Sequence, residues 1–132
     1  MKKKINVVAA VLTRGQTILA AQRSSKMSLP GMWEFPGGKI ELDESPAEAL
    51  LRELEEELLC KAEIGEYIQT TEHEYDFGIV NLTTYYCLLT GDEPRLTEHS
   101  EIRWVHVAEL DQLNWAPADI PAVKQVMRDF KI

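Results

Sequence analysis

The 132-residue chain has only two cysteines, Cys60 and Cys87, and they lack CxxC spacing. A disulfide scaffold and a cysteine zinc site are therefore both excluded. Each cysteine stands beside apolar residues and is expected as a buried, reduced thiol. Basic residues are also scarce: 14 Lys and Arg against 22 Asp and Glu give a net charge of −8. Such a surface repels phosphate backbones, so no long nucleic acid is expected as a partner, although a small anion can still enter beside a metal. No apolar run approaches the roughly 18 residues needed to span a bilayer. Lys2 to Lys4 followed by Ile5 to Leu12 imitates a secretory signal, but Asn6 interrupts the run and Arg14 ends it. A buried strand is expected there instead, with no membrane partner and a cytoplasmic location. Without secretion, the glycosylation triplet Asn81-Leu82-Thr83 is a chance match.

What is present is ordinary globular composition, 45% hydrophobic and 27% charged, with no repeat, low-complexity tract or linker. One domain over 1–132 is expected, as a monomer or dimer. Val7 to Thr13 and Thr17 to Gln22 are β-branched, apolar runs flanking Arg14-Gly15-Gln16, which predicts a hairpin. Ser24 to Met32 reads as a loop, Trp33 to Phe35 as a short extended piece, and Pro36-Gly37-Gly38 as a glycine loop. A helix follows. Ser45 suits the N-cap, Pro46 the first position, and Glu48 closes a capping box. Ala47, Leu50, Leu51, Leu54 and Leu58 recur at helical spacing and predict its apolar face. Ala62 to Tyr75 and Ile79 to Leu89 predict two long strands about an Asp76-Phe77-Gly78 turn, and Glu101 to Val107 a further strand. Val123, Val126, Met127 and Phe130 form the stripe of a closing helix. The expected class is α/β, a mixed sheet sandwiched between helices.

The charge is concentrated. Between Glu41 and Glu57 lie eight acids and one base, Arg52. At about 100° per residue, Glu53, Glu56 and Glu57 project from one side of the helix. Each like-charged neighbour costs roughly 0.2–0.5 kcal/mol, and the macrodipole disfavours negative charge toward the C-terminus. A solvated acidic face is the plain alternative. A hard divalent cation such as Mg²⁺ or Mn²⁺ would cancel the repulsion, and Mg²⁺ commonly bridges to substrate phosphates, which points to a polyphosphate substrate. Phosphoanhydride hydrolysis needs charge neutralised on the oxygens and a deprotonated water in line, and carboxylates with metal supply both. His73, His99 and His106 are scattered and are expected to be structural or exposed.

Gly38, then Glu44 after five residues, then Arg52-Glu53-Leu54-Glu55-Glu56-Glu57 after seven more, resembles the signature of the Nudix hydrolases, G-x5-E-x7-R-E-U-x-E-E-x-G-U. Two positions depart: Leu59 replaces the glycine and Cys60 the last aliphatic residue, and Leu59 bears on how the helix ends. The likeness extends over most of the chain to MutT-like nucleoside triphosphate pyrophosphohydrolases, through Arg23, Trp33 to Lys39, Glu98 and Trp115 to Pro121. The resemblance implies a Nudix fold. It also implies metal held by the Gly37 carbonyl, Glu53, Glu56, Glu57 and Glu98, with Arg52 orienting a glutamate. Arg23 and Lys39 would meet the triphosphate, and Glu34 belongs to the same substrate-binding segment. The products would be a nucleoside monophosphate and pyrophosphate, with Glu53 as the base and Glu98 the other candidate.

Asp119 is the position that faces the base in such proteins. An ionised carboxylate there accepts N–H groups from cytosine, guanine or 8-oxoguanine. The 116–121 run resembles the subgroup acting on CTP, dCTP and 5-modified cytosines, with oxidised guanine nucleotides next. The plain alternative for Asp119 is a cap on the last helix. Phe35 and Tyr75 are candidates to line the base pocket; Trp33 and Trp104 are expected in the core. Two other functions remain open at this stage: hydrolysis of another nucleoside diphosphate derivative such as ADP-ribose or a nucleotide sugar, or a nonenzymatic nucleotide sensor.

Overall fold

A computed structural model describes residues 2–132. The long strand β1 (Lys4–Arg14) organises everything else. It runs parallel to β6 (Gly78–Leu89) and antiparallel to β2 (Thr17–Gln22), and β6 pairs antiparallel with β5 (Ala62–Tyr75). On β2 lie β3 (Trp33–Glu34) and β7 (Glu101–His106), both antiparallel. The expected mixed sheet is present. Among the described residues no helix is long and apolar enough to cross a membrane.

The period of two in β1 sends alternate residues to opposite layers. Val8, Ala10 and Leu12 pack with Leu50, Leu54 and Leu58 of α1 (Pro46–Leu58), while Ala9 and Val11 pack with Val123 and Val126 of α2 (Ile120–Asp129). All five β1 residues are buried, which explains why this strand reads as an unbroken apolar run. Full burial of a leucine contributes about 1.5–3 kcal/mol, so three leucines fix α1 firmly to the sheet. Both cysteines are buried and free in this α1 layer.

Helix α1 begins as its sequence predicts. Ser45 accepts from the Glu48 N–H and Glu48 returns a bond to the Ser45 N–H, at 3.1 and 2.9 Å. Such a cap is worth about 1 kcal/mol. Its apolar face is rotated from the predicted one: Ala49 is buried, whereas Ala47 is exposed and Leu51 is 43% exposed. Leu59 takes the left-handed conformation (φ 51°, ψ 38°) that a glycine would ordinarily provide, so the helix stops in the same place without one.

Two further expectations are corrected. Gly37 to Lys39 is strand β4, antiparallel to Val7–Ala9 of β1, rather than a free glycine loop. A Cβ on Gly37 would collide with the Val8 carbonyl, so the close pairing requires glycine there. Trp104 is only partly buried and stacks under the Arg14 guanidinium at 4.0 Å.

Candidate active site

Strand β4 and helix α1 meet at Gly38. A Cβ there would overlap the Glu53 carboxylate, so the glycine lets the helix bring its acid against the strand. A cleft of about 430 Å³ opens at this junction. On the α1 side it is lined by Gly37, Gly38, Lys39, Glu53 and Glu57; on the α2 side by Phe35, Tyr75, Ala118 and Asp119. Arg23 and Glu34 also line it. Sequence reasoning missed its apolar wall, which includes Ile5, Met27, Phe77 and Val80. These residues come from four separate segments and share no spacing that could have announced them.

Arg52 is the hub of the α1 side. Its guanidinium donates to Glu44 at 2.7 and 2.9 Å, to Glu53 at 2.8 Å, to Glu56 at 3.2 Å and to the Lys39 carbonyl at 3.0 Å. These bonds hold the Glu44 carboxyl down at about 2 and raise Arg52 further above its usual range. Burial raises Glu53, opposed by Arg52. Glu57 is relieved more weakly, by a backbone hydrogen bond from Gly37. Burial first, and then the charges of Glu34, Glu53 and Glu98, push it up to about 8. Its Oε1 is buried without a hydrogen-bond partner. Glu56 and Glu98 are exposed and do not line the cleft, and neither does Arg52.

Among the described residues no three His, Cys, Asp or Glu side chains converge as a ready-made metal group. Arg52 holds Glu53 and Glu56 on itself instead. The donor set nonetheless suits a hard cation: its side chains are all carboxylates, one oxygen is buried and unpartnered, and the acids repel one another.

On the α2 side, Asp119 is 5% exposed and its Oδ2 accepts the Phe35 N–H at 3.0 Å. It makes no capping bond to α2, so the helix-cap alternative fails. Burial, and next the charge of Glu34, push its carboxyl well above the usual range, opposed by the Phe35 N–H and Arg23. That rise disfavours the ionised form on which the sequence reading of base recognition relies. Phe35 leans on Trp115, ring centres 4.7 Å apart, and Tyr75 accepts the Ala118 N–H at 2.8 Å while stacking on Phe77 at 5.0 Å.

His99, expected to be structural or exposed, has a more particular place. It is buried, and its Nε2 bonds Glu34 at 2.8 Å; Glu34 in turn holds Arg23 at 2.6 Å. Its position beside Glu98 was the only signal available.

A mixed sheet carries a carboxylate helix on one side of the cleft and an apolar pocket on the other, an arrangement suited to hydrolysis of phosphoanhydride bonds. The comparisons agree. The NUDIX domain family profile matches residues 3–126, and the chain belongs to that family. Members of this family generally need a divalent metal. A CTP pyrophosphohydrolase of Escherichia coli K12 is 40% identical over 125 residues, covering 95% of this chain and 93% of its own. A putative 8-oxo-dGTP diphosphatase of Mycobacterium tuberculosis is 41% identical over 114 residues, covering 86% and 81%. The solution structure of a MutT protein of the Nudix hydrolase family from methicillin-resistant Staphylococcus aureus 252 is 59% identical. Its TM-score is 0.81, with 98% and 99% of the two chains covered.

Proposed function

We propose that this protein hydrolyses nucleoside triphosphates to the monophosphate and pyrophosphate with Mg²⁺, or Mn²⁺ in its place, and prefers cytosine or 8-oxoguanine nucleotides, so cleansing the nucleotide pool. One observation carries the reading: a single cleft joins the α1 carboxylates to an apolar pocket that ends on a buried acid, Asp119. That is the shape of a molecule with a charged polyphosphate tail and a flat, hydrogen-bonding head. The names of the relatives, a CTP pyrophosphohydrolase and a putative 8-oxo-dGTP diphosphatase, support the two base preferences.

Glu53, Glu56, Glu57, Glu98 and the Gly37 carbonyl would hold the cation. When bound, it would neutralise phosphate charge and lower the pKa of water. Arg52 donates to Glu53 Oε1 at 2.8 Å and so opposes the rise that burial gives its carboxyl, and Glu53 serves as the base that takes the proton of the attacking water. Lys39 and Arg23, both lining the cleft, bind the phosphate oxygens. The water oxygen ends on one product, and the anhydride bond between the α and β phosphates breaks. Asp119 meets the base edge: an N–H from cytosine N4 or guanine N1 and N2 favours its ionised form, which uracil and thymine do less well.

Pyrophosphate release from CTP, 5-methyl-dCTP, 8-oxo-dGTP, UTP and ADP-ribose, with Mg²⁺ and with chelator, tests the proposal. The expected result is turnover of the cytosine or oxidised guanine nucleotides that chelation abolishes. Activity confined to ADP-ribose, or activity that survives chelation, overturns it.

A further inference from the structure

The loop that carries Glu98 is tied at both ends. Before Glu98, the Arg95 N–H donates to the Leu58 carbonyl at 2.7 Å and the Thr97 hydroxyl donates to the Glu57 carbonyl, both at the end of α1. After it, the Ser100 N–H donates to the Gln22 carbonyl at 2.9 Å. Between these anchors His99 turns inward, its side chain 1% exposed. A carboxylate only accepts, so the bond to Glu34 places the imidazole hydrogen on Nε2. Among the described residues the other ring nitrogen, Nδ1, is buried without a partner. Burying an unsatisfied polar atom is costly, so what the ring gains through Nε2 must hold it there.

The chain of bonds continues past Glu34. Its other oxygen accepts from Arg23 Nη1 at 2.6 Å, and Arg23 Nη2 donates to Ser28 Oγ at 3.0 Å while Nε donates to the Ser28 carbonyl. Ser28 belongs to the 24–32 loop on the rim of the cleft, which is further pinned by the Gly31 N–H donating to the Arg23 carbonyl at 2.9 Å. A continuous line of side chains thus runs from the Glu98 loop to the Ser28 loop, with the phosphate-facing arginine in its middle.

We propose that His99 is a positioning residue: through Glu34 it sets the Arg23 guanidinium for the nucleotide and couples the Glu98 loop to the Ser28 loop. The coupling stands on the geometry alone, whereas its consequence for nucleotide binding rests on the function proposed above. Glu34 is fixed by His99 on one oxygen and Arg23 on the other, so loss of the His99 donor leaves it held through Arg23 alone, and the counter-charge of Arg23 loses its second anchor.

Two substitutions of similar polarity separate positioning from filling. In His99→Gln the side-chain amide nitrogen reaches about as far as Nε2, whereas in His99→Asn it falls short. In full-length protein shown by thermal melting to be folded, His99→Asn should speed amide exchange at Arg23 and Gly31 by about tenfold, with the β1–β6 ladder unchanged. The same variant should raise KM for the preferred triphosphate about five- to tenfold with kcat altered less than about threefold. His99→Gln should restore both. Equal behaviour of the two variants, whether native-like or equally impaired, overturns the proposal. If the native protein hydrolyses no triphosphate but the exchange difference between the variants persists, the substrate reading fails and the coupling survives.

Discussion

On the α1 side of the cleft, Arg52 shares its guanidinium among Glu44, Glu53 and Glu56, and Glu57 is left with a buried oxygen that nothing satisfies. On the α2 side Asp119 is more deeply buried, yet it has one backbone donor and an aromatic wall, and no crowd of acids on its own element. The first arrangement gathers like charges, and the second buries a carboxylate on one backbone donor. The two acids sit above their usual pKa range for the same first reason, burial, but the second cause differs. For Glu57 it is several neighbouring carboxylates; for Asp119 it is Glu34 alone, opposed by Arg23. In the function proposed above, the first side takes the cation and phosphate and the second the base.

The sharpest way to break this contrast is to remove charge from the α1 side. Glu53→Gln or Glu57→Gln should lower kcat by about 10²–10⁴-fold, with KM for the nucleotide changed less than about threefold. Steady-state pyrophosphate release checks it. A neutral amide also lessens the mutual repulsion, so thermal melting should show Mg²⁺ raising the Tm of the native protein but hardly that of Glu57→Gln. Equal Mg²⁺ stabilisation in both proteins would place the ion elsewhere.

Arg52→Lys comes next. A lysine has one point of charge where the guanidinium serves Glu44, Glu53, Glu56 and the Lys39 carbonyl together. Activity should fall about 10- to 100-fold, and melting should shift downward. The α2 side should keep its affinity for the base, measured as inhibition by the nucleoside monophosphate.

Residue pattern alone announces the first side of this contrast, whereas Phe35, Tyr75 and Asp119 on the second were reached only through the family resemblance. Repetition carries the α1 side: acids recur at helical spacing behind Ser45 and Pro46, so both the helix and its charged face are announced before any coordinates exist. The rotation of its apolar face onto Ala49 was not announced, because Leu51 and Leu50 are indistinguishable by type and only docking on β1 decides between them. Gly37 and Gly38 read as a loop because glycine usually breaks strands; here the absent side chains let β4 lie against β1 and let Glu53 lie against Gly38. The α2 side is assembled from residues distant in sequence, Ile5, Phe35, Tyr75 and Asp119 among them, and no periodicity links those. His99 is the extreme case, a single residue whose partner lies 65 positions away.

Asp119→Asn tests the α2 side and should act on selectivity more than on rate. An amide both donates and accepts, so the ratio of kcat/KM for cytosine over uracil nucleotides should fall, by about 10-fold or more. The variant also reports on protonation. Asp119 has a raised pKa in the folded state, first through burial and then through Glu34, opposed by the Phe35 N–H and Arg23, and Tyr75 shares its surroundings. Neutral Asp119 therefore contributes stability that is fully present below its ordinary value of 3.8 and is lost as pH rises toward its folded value. The amide does not titrate. The Tm of Asp119→Asn relative to the native protein should climb as pH rises from about 4, and a flat difference would mean the carboxylate is ionised at no cost.

The smallest effect concerns the exit of α1, where Leu59 sits left-handed and 53% exposed. A left-handed non-glycine residue costs roughly 1–2 kcal/mol. Leu59→Gly removes that cost, but glycine loses about 0.5–1 kcal/mol more chain entropy on folding, and the half-buried leucine side chain contributes about 1 kcal/mol of its own. The opposing contributions nearly cancel, so Leu59→Gly should change stability by less than about 1 kcal/mol. Leu59→Val has no such compensation: its β-branch clashes in the left-handed region, and the loss should reach about 1–2 kcal/mol. Urea unfolding of the three proteins measures the series. Because the Glu57 and Leu58 carbonyls at this exit are held by the Glu98 loop, the valine variant should also lose activity slightly while the glycine variant keeps it. A glycine variant more stable by several kcal/mol would mean that the turn is strained well beyond what its dihedral angles imply.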